Sequence, residues 1–133
     1  AVSVRLAGDL AYRMAGIACP AREIDFAEVN DEFSYKELQH LEALRLFDRG
    51  AAGKAMEDGK TSLDGTLPVN PSGGALGVGH LFECSGAQKV VELVLQLRGE
   101  AGARQVPNAR TGLAQAWRGI PTTSAAVAIL SNE

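Results

Sequence analysis

The sequence predicts a layered α/β domain, in which helices cover a mixed sheet. Apolar residues recur at helical spacing near residues 7–14, 34–47 and 85–98, whereas residues 112–116 and 124–130 have the composition of strands. The chain has 133 residues, which corresponds to a single domain. The predicted order is helix, strand, helix, loop, strand, helix, strand, strand.

The composition is that of a folded domain, with 46% apolar and 22% charged residues. A net charge of −3 gives no general attraction to nucleic acid or to anionic membranes. No apolar run is long enough to span a bilayer, and the N-terminus does not resemble a signal peptide. Cys19 and Cys84 are too few for a disulfide framework or a zinc site. We therefore expect a reduced, cytoplasmic protein with no metal.

The first helix is predicted from helical spacing and is expected to end at Gly16. Residues 24–29 follow a proline and alternate apolar with small or polar side chains, as a strand with one buried face does. The second helix is predicted over residues 34–47, and residues 50–65 are predicted to be a surface excursion because they are charged, small and glycine-containing. The apolar stripe of the first helix is Ala7, Leu10, Ala11 and Met14.

The predicted order places a strand between the surface excursion and the third helix, where residues 67–71 lead into a glycine-rich segment that ends at His80. Four glycines within seven residues indicate that the backbone lies close to another chain segment or to a ligand. These glycines are Gly73, Gly74, Gly77 and Gly79.

The third helix is predicted over residues 85–98, with Ser85 as its N-cap and Gly99 as its C-cap. The strands at 112–116 and 124–130 follow, joined by a Gly-Ile-Pro turn; the second strand is apolar on both faces and is expected to be central or covered by helices. The apolar stripe of the helix is Ala87, Val90, Val91, Val94 and Leu95, and Gln88, Lys89, Glu92 and Gln96 lie off that stripe.

Two local patterns could carry chemistry. His80 follows glycines and precedes a helix N-terminus, where it could exchange protons at neutral pH; the alternative is a surface histidine that caps a turn. Asn30, Asp31 and Glu32 stand where a strand ends and a helix begins. Asn30 could orient a water, and Asp31 or Glu32 could move a proton. The alternative is ordinary helix capping by Asn30 or Asp31.

Three other residues are weaker candidates. Cys84 lies near a helix start, which favours a thiolate, but a small core residue is the simpler interpretation. His40 is predicted to be a solvated side chain. Trp117 fits equally well as an interface anchor or as a core aromatic residue.

Several segments, taken in order, resemble the C-terminal half of thiolases, in particular the branch related to sterol-carrier-protein thiolases. They are residues 28–33, 41–44, 70–80, 96–99 and 104–106, and the resemblance covers nearly all of residues 1–133. It implies a thiolase-like C-terminal domain whose N-terminal half, with the nucleophilic cysteine, is absent. A second cysteine that many thiolases carry near the C-terminus is also missing here.

Thiolases make or cleave 3-ketoacyl-CoA through an acylated cysteine, which needs an activated thiol and an oxyanion hole. The resemblance implies that His80 activates the thiol and that Asn30 fixes a water in the oxyanion hole. Glu32 stands where the sterol-carrier branch has a cysteine, and we hypothesise that it is the acid/base. Glu83 is expected to put a carboxylate beside His80. The glycines at 73, 74, 77 and 79 would let the backbone approach the acyl and pantetheine groups.

The resulting prediction is the C-terminal half or subunit of an acyl-CoA C-acyltransferase, inactive alone and homo- or hetero-oligomeric with its companion half. The substrate would be a coenzyme A thioester, with no permanently bound cofactor. One alternative is a retro-aldol lyase of acyl-CoA side chains, assisted by a small zinc-binding OB-fold partner; another is a non-catalytic interaction module. Because residues 85–98 are so apolar, the isolated chain is expected to expose an apolar patch and to self-associate.

Overall fold

The computed structural model describes residues 1–119 and 123–132. These residues form an α/β domain with a three-stranded mixed sheet, which confirms the predicted fold class. Two short 3-10 turns, Phe82–Cys84 and Gly102–Arg104, flank the last helix. The helices and strands are α1 (Val2–Ala15), α2 (Pro20–Glu23), β1 (Phe26–Glu28), α3 (Ser34–Ala43), α4 (Ala52–Glu57), α5 (Gly74–Val78), α6 (Ser85–Leu97), β2 (Thr111–Arg118) and β3 (Ser124–Ser131).

The sheet has the order β1-β2-β3. β1 runs parallel to β2, with Ala27 opposite Leu113, and β2 runs antiparallel to β3, with Leu113 opposite Ile129. The strand expected between the surface excursion and the third helix is reduced to one bridge between Val69 and Ala27. β2 is therefore the central strand of the described sheet, and it carries residues of both cores.

Helices cover both faces of the sheet. Leu113 belongs to the larger core, where it packs with residues of α1 and α3 such as Val4 and Leu41. Its neighbour Ala114 belongs to a second core with Phe26 and with Leu93 of α6. Adjacent strand residues point to opposite faces, so the two cores lie on the two sides of one sheet. This arrangement is the predicted layered architecture.

The strand predicted at residues 124–130, which was expected to be central or covered by helices, is β3, and it lies at the edge of the described sheet. Its expected coverage by helices is confirmed, because Val127 and Ile129 pack on the larger core and Leu130 packs on the second. An apolar strand covered on both faces has the same composition whether or not it has two hydrogen-bonded neighbours. Ile120 and Pro121 of the predicted turn lie outside the described residues.

The face of α1 that is buried differs from the predicted one. Val4, Gly8 and Tyr12 are buried, whereas Leu10 and Met14 are exposed. Within this buried row, the Tyr12 hydroxyl donates a hydrogen bond to the Leu44 carbonyl at 2.7 Å. A tyrosine that bonds a buried carbonyl fixes the rotation of the helix, and the leucine and methionine are left outside.

The difference is larger on α6, where polar residues are buried and the apolar stripe is partly exposed. Glu92 accepts hydrogen bonds from Arg104 Nε at 2.9 Å and from Gln96 Nε2 at 2.9 Å. Gln96 Oε1 accepts from the Val106 amide at 2.7 Å. These polar groups are buried because they hold residues 104–106, and satisfied polar groups tolerate burial. Val91 consequently remains 57% exposed.

The second helix is shorter than predicted, and the predicted surface excursion contains a helix that was not expected. The second helix ends at Ala43, and Arg45 adopts a φ of +56°, which a helix does not allow. The surface excursion at 50–65 contains α4, whose Ala52 is buried in the larger core. In the described part of the chain, no helix combines the length and the apolarity needed to cross a membrane.

Candidate active site

An open pocket of about 1050 Å³ lies between residues 80–86 and the adjoining ends of β2 and β3. Asn30, Glu32 and His80 all line this pocket, although His80 is far from the other two in the sequence. The remaining wall is mostly small or apolar. It includes Leu81, Phe82, Gly86, Ala116, Trp117 and Ala125.

Asn30 lies two residues after the end of β1 and is only 2% exposed. Its amide nitrogen donates to Gln115 Oε1 at 2.8 Å, and its carbonyl accepts from His40 Nδ1 at 2.9 Å. The preceding amide, that of Val29, donates to Asn70 Oδ1 at 2.7 Å. Side chains therefore replace the strand ladder where β1 ends, and they hold the backbone of Asn30 on both sides.

Two carboxylates tie the glycine-rich segment to β1. Glu28 accepts from the Ser72 amide at 2.9 Å and from the Ser72 hydroxyl at 2.8 Å, and burial raises the pKa of Glu28. Asp31 accepts from the Ala75 amide at 2.7 Å. α3 begins at Ser34 without a side-chain cap, so Asp31 caps α5 and not the following helix.

The four predicted glycines have different surroundings. At Gly74, φ is +60°, and an added Cβ would overlap the Asp31 carboxylate. Gly73 also has a positive φ, of +101°. Nothing lies within 4 Å of a Cβ at Gly77 or Gly79. The close neighbour at Gly74 thus comes from this chain, and an approach of substrate to the other glycines stays a prediction.

His80 and Glu32 form an ion pair or hydrogen bond, with 2.5 Å between Nε2 and Oε1. The Phe82 amide donates to His80 Nδ1 at 3.1 Å. Since Nδ1 accepts in this arrangement, the proton of the neutral ring is on Nε2 and points at Glu32. Glu83, which was expected beside His80, is exposed and lies 3.7 Å from Arg118. The carboxylate at His80 is therefore that of Glu32.

His40 was predicted to be solvated, and this prediction is wrong. It is fully buried, and its ring centroid lies 5.8 Å from that of Trp117. Burial lowers the pKa of His40. The sequence contained a signal for this position, because residues 40 and 44 lie one helical turn apart and Leu44 is a core residue. The neighbouring charges had masked it.

Gln115 and Cys84 also differ from expectation. Gln115 is fully buried and bonds Asn30, a role that the sequence did not suggest. Cys84, expected in the core, is exposed and lines the pocket. Among residues 1–119 and 123–132, no group of three histidine, cysteine or acidic side chains is placed to hold a metal.

The fold and the pocket together define an α/β domain that presents an imidazole and a carboxylate to one cavity, which Asn30 also lines. The sequence matches the family described as "Thiolase C-terminal domain-like" over residues 1–132. The chain therefore belongs to the thiolase C-terminal domain-like family, as its motifs indicated.

Three similar proteins illustrate this membership. An acetyl-CoA acetyltransferase of Methanothermobacter thermautotrophicus is 43% identical over 115 residues, which are 86% of this chain and 30% of that protein. Sterol carrier protein 2 of Bos taurus is 45% identical over 91 residues, 68% of this chain and 17% of that protein. A solved structure described as "Ltp2-ChsH2(DUF35) aldolase" has a TM-score of 0.82 at 29% identity, over 96% of this chain and 31% of that one. The chain thus spans under a third of each.

Proposed function

We propose that this chain is the C-terminal half or subunit of a thiolase-like acyl-CoA C-acyltransferase, which makes or cleaves 3-ketoacyl-CoA thioesters. The observation that carries the proposal is the contact between His80 and Glu32, at 2.5 Å, in the pocket that Asn30 also lines. A proton donor and a proton acceptor stand side by side there. Carbon–carbon bond formation next to a thioester requires this pair, because one proton leaves the α-carbon while charge develops on the thioester oxygen.

In the proposed reaction, Glu32 is the acid/base that removes or returns the proton of the α-carbon. His80 Nε2–H and a water held by Asn30 stabilise the negative charge on the thioester oxygen. The companion half supplies the cysteine that carries the acyl group. His80 activates this thiol when Nε2 takes the thiol proton as the original Nε2 proton passes to Glu32. The coenzyme A thioester is a substrate in this proposal and not a resident cofactor.

Two observations support a companion half or subunit. The chain spans under a third of the length of each similar protein, and α6 and α1 carry exposed apolar residues. Val91 is 57% exposed, Val94 38%, and Leu6 64%. Several large apolar side chains exposed on one domain indicate that it contacts another protein surface there. We propose that they pack against the N-terminal thiolase half, within a homo- or hetero-oligomer.

The test is an assay of the complete assembly with a 3-ketoacyl-CoA and free coenzyme A. Glu32→Gln and His80→Asn are each expected to lower kcat by about 10²–10⁴-fold. Glu100→Gln, on an exposed surface carboxylate that pairs with Arg98, is the matched control and should leave kcat unchanged. Full turnover by the Glu32→Gln enzyme would reject the proposed role of Glu32.

The second candidate is a retro-aldol lyase of acyl-CoA side chains, which the aldolase with a TM-score of 0.82 favours. A base would remove the proton of the β-hydroxyl group, the Cα–Cβ bond would break, and a carbonyl product would leave. The thioester enolate would then take up a proton at Cα. This reaction needs no acyl-cysteine, and its expected partner is a small zinc-binding OB-fold subunit.

Mass spectrometry of the complete assembly separates these candidates. Incubation with an acyl-CoA should give a covalent acyl adduct on a cysteine of the companion half if the chain serves an acyltransferase. Cleavage of a 3-hydroxyacyl-CoA without any adduct would favour the lyase. Neither adduct nor turnover with either thioester would leave the non-catalytic interaction module as the remaining interpretation.

A further inference from the structure

The backbone of Asn30 is held by two buried side chains from other elements. We infer that His40 of α3 is a positioning residue for Asn30, acting through the hydrogen bond from His40 Nδ1 to the Asn30 carbonyl. Gln115 of β2 is its counterpart on the amide side. The inference rests on the proposed function of the pocket, since it assigns His40 a role in the geometry of the same reaction.

The hydrogen bonding explains why side chains are needed at this point. Residue pairing between β1 and β2 ends at Glu28 and Ala114. The amide and carbonyl of Asn30 therefore have no strand partner, and a buried backbone group without a partner costs free energy. Gln115 Oε1 accepts a hydrogen bond from the backbone amide of Asn30 at 2.8 Å, and His40 Nδ1 donates one to the Asn30 carbonyl at 2.9 Å. A carbonyl only accepts, so His40 must carry its proton on Nδ1.

The surroundings of His40 give it one polar contact within the described residues. Its Nε2 is buried and has no hydrogen-bond partner there, and its ring packs beside Trp117. A leucine in this place would leave no polar atom of its own unpaired, so core packing alone does not call for an imidazole. The role left for the imidazole ring is to hold the Asn30 carbonyl in one orientation through this hydrogen bond.

That carbonyl belongs to the peptide that leads to Asp31 and then to Glu32. Its orientation therefore sets the direction of the Asn30 side chain. Displacement of a reacting group by about 1 Å costs on the order of 100-fold in rate. Loss of the His40 bond should accordingly reduce kcat more than it changes KM.

The experiment compares variants of the complete protein with an acyl-CoA thioester as substrate. His40→Leu removes the donor, His40→Asn retains an N–H near the position of Nδ1, and His40→Gln places an amide near Nε2. We expect His40→Leu and His40→Gln to lower kcat by roughly 10- to 100-fold with KM within about twofold. His40→Asn should restore most of the activity. Circular dichroism and thermal unfolding identify variants that fail to fold.

A double-mutant cycle provides the decisive comparison. If His40 acts through Asn30, His40→Leu should cost little further kcat in an Asn30→Ala background. Additive losses, or equal activity of the His40→Asn and His40→Gln enzymes, would overturn the inference while leaving the proposed function intact. Full activity of the Asn30→Ala enzyme would instead reject the proposed function of Asn30, and the inference with it.

Discussion

The carboxylate of Asp31 occupies the space in which a side chain at position 74 would lie. Asp31 is 3% exposed and accepts a hydrogen bond from the Ala75 amide at 2.7 Å. It thereby joins the end of β1 to the segment that leads to His80. Since Glu32 is the next residue, this contact helps to set both members of the His80–Glu32 pair.

Gly74→Ala should therefore destabilise the fold. The new Cβ would overlap the Asp31 carboxylate. Alanine would also be forced into a φ of +60°, which glycine adopts freely and alanine does not. We expect a loss of roughly 2–4 kcal/mol in the free energy of unfolding, measured by urea denaturation. Gly77→Ala is the matched control in the same short helix. It meets nothing within 4 Å and should change stability by less than about 1 kcal/mol.

The tautomer of His80 is a second prediction. Nδ1 accepts from the Phe82 amide, so the neutral ring should carry its proton on Nε2. Nitrogen-15 NMR of the histidine side chains reports this directly. Glu32→Leu removes the acceptor of that proton and should lower the Nε2–H population. Glu83→Leu, on the exposed carboxylate near Arg118, should leave it unchanged; a predominant Nδ1–H form in the unmodified chain would contradict the geometry.

Glu37 should make stability depend on pH. Burial, with the nearby Asp31 carboxylate, raises the pKa of Glu37 from 4.5 to about 7. The folded state then holds a proton that the unfolded chain releases between these values, so this contribution to stability falls as pH rises from about 4.5 to 7.

Glu37→Gln removes that dependence and retains an acceptor for Asn70 Nδ2. We expect the variant to match the parent chain at pH 4.5 and to be more stable by about 1–2 kcal/mol at pH 8, since partial exposure screens the effect. Thermal unfolding across this range tests the difference. A constant difference between the two proteins at all pH values would show that Glu37 does not titrate in this window.

The exposed apolar surface of α6 leads to a prediction about association. Val91 is 57% exposed, so Val91→Lys should change the stability of the isolated chain by less than about 0.5 kcal/mol. It should reduce self-association in sedimentation and weaken assembly with the companion half. Gln88→Lys on the same helix is the control for added charge. Monomeric behaviour of the unmodified chain at all concentrations would argue against an apolar docking face.

Parts of the fold could be predicted because they depend on local pattern. The helices near 34–43 and 85–97 and the strands near 111–118 and 124–131 follow from apolar periodicity and from glycine positions. The motif at residues 70–80 indicated the thiolase family, and the family match over residues 1–132 confirms it. Local physics acts within a few residues, and the sequence displays it directly.

The sequence by itself determined the α/β class and the family, and it indicated Asn30, Glu32 and His80 as candidate site residues. Only the tertiary structure decided that Glu32, and not Glu83, meets His80, and that His40 is buried beneath Asn30. It also decided that α6 buries Glu92 and Gln96 while Val91 stays outside. Those outcomes depend on which polar groups find partners from distant parts of the chain, and the free energy of such pairs exists only once the layers have packed.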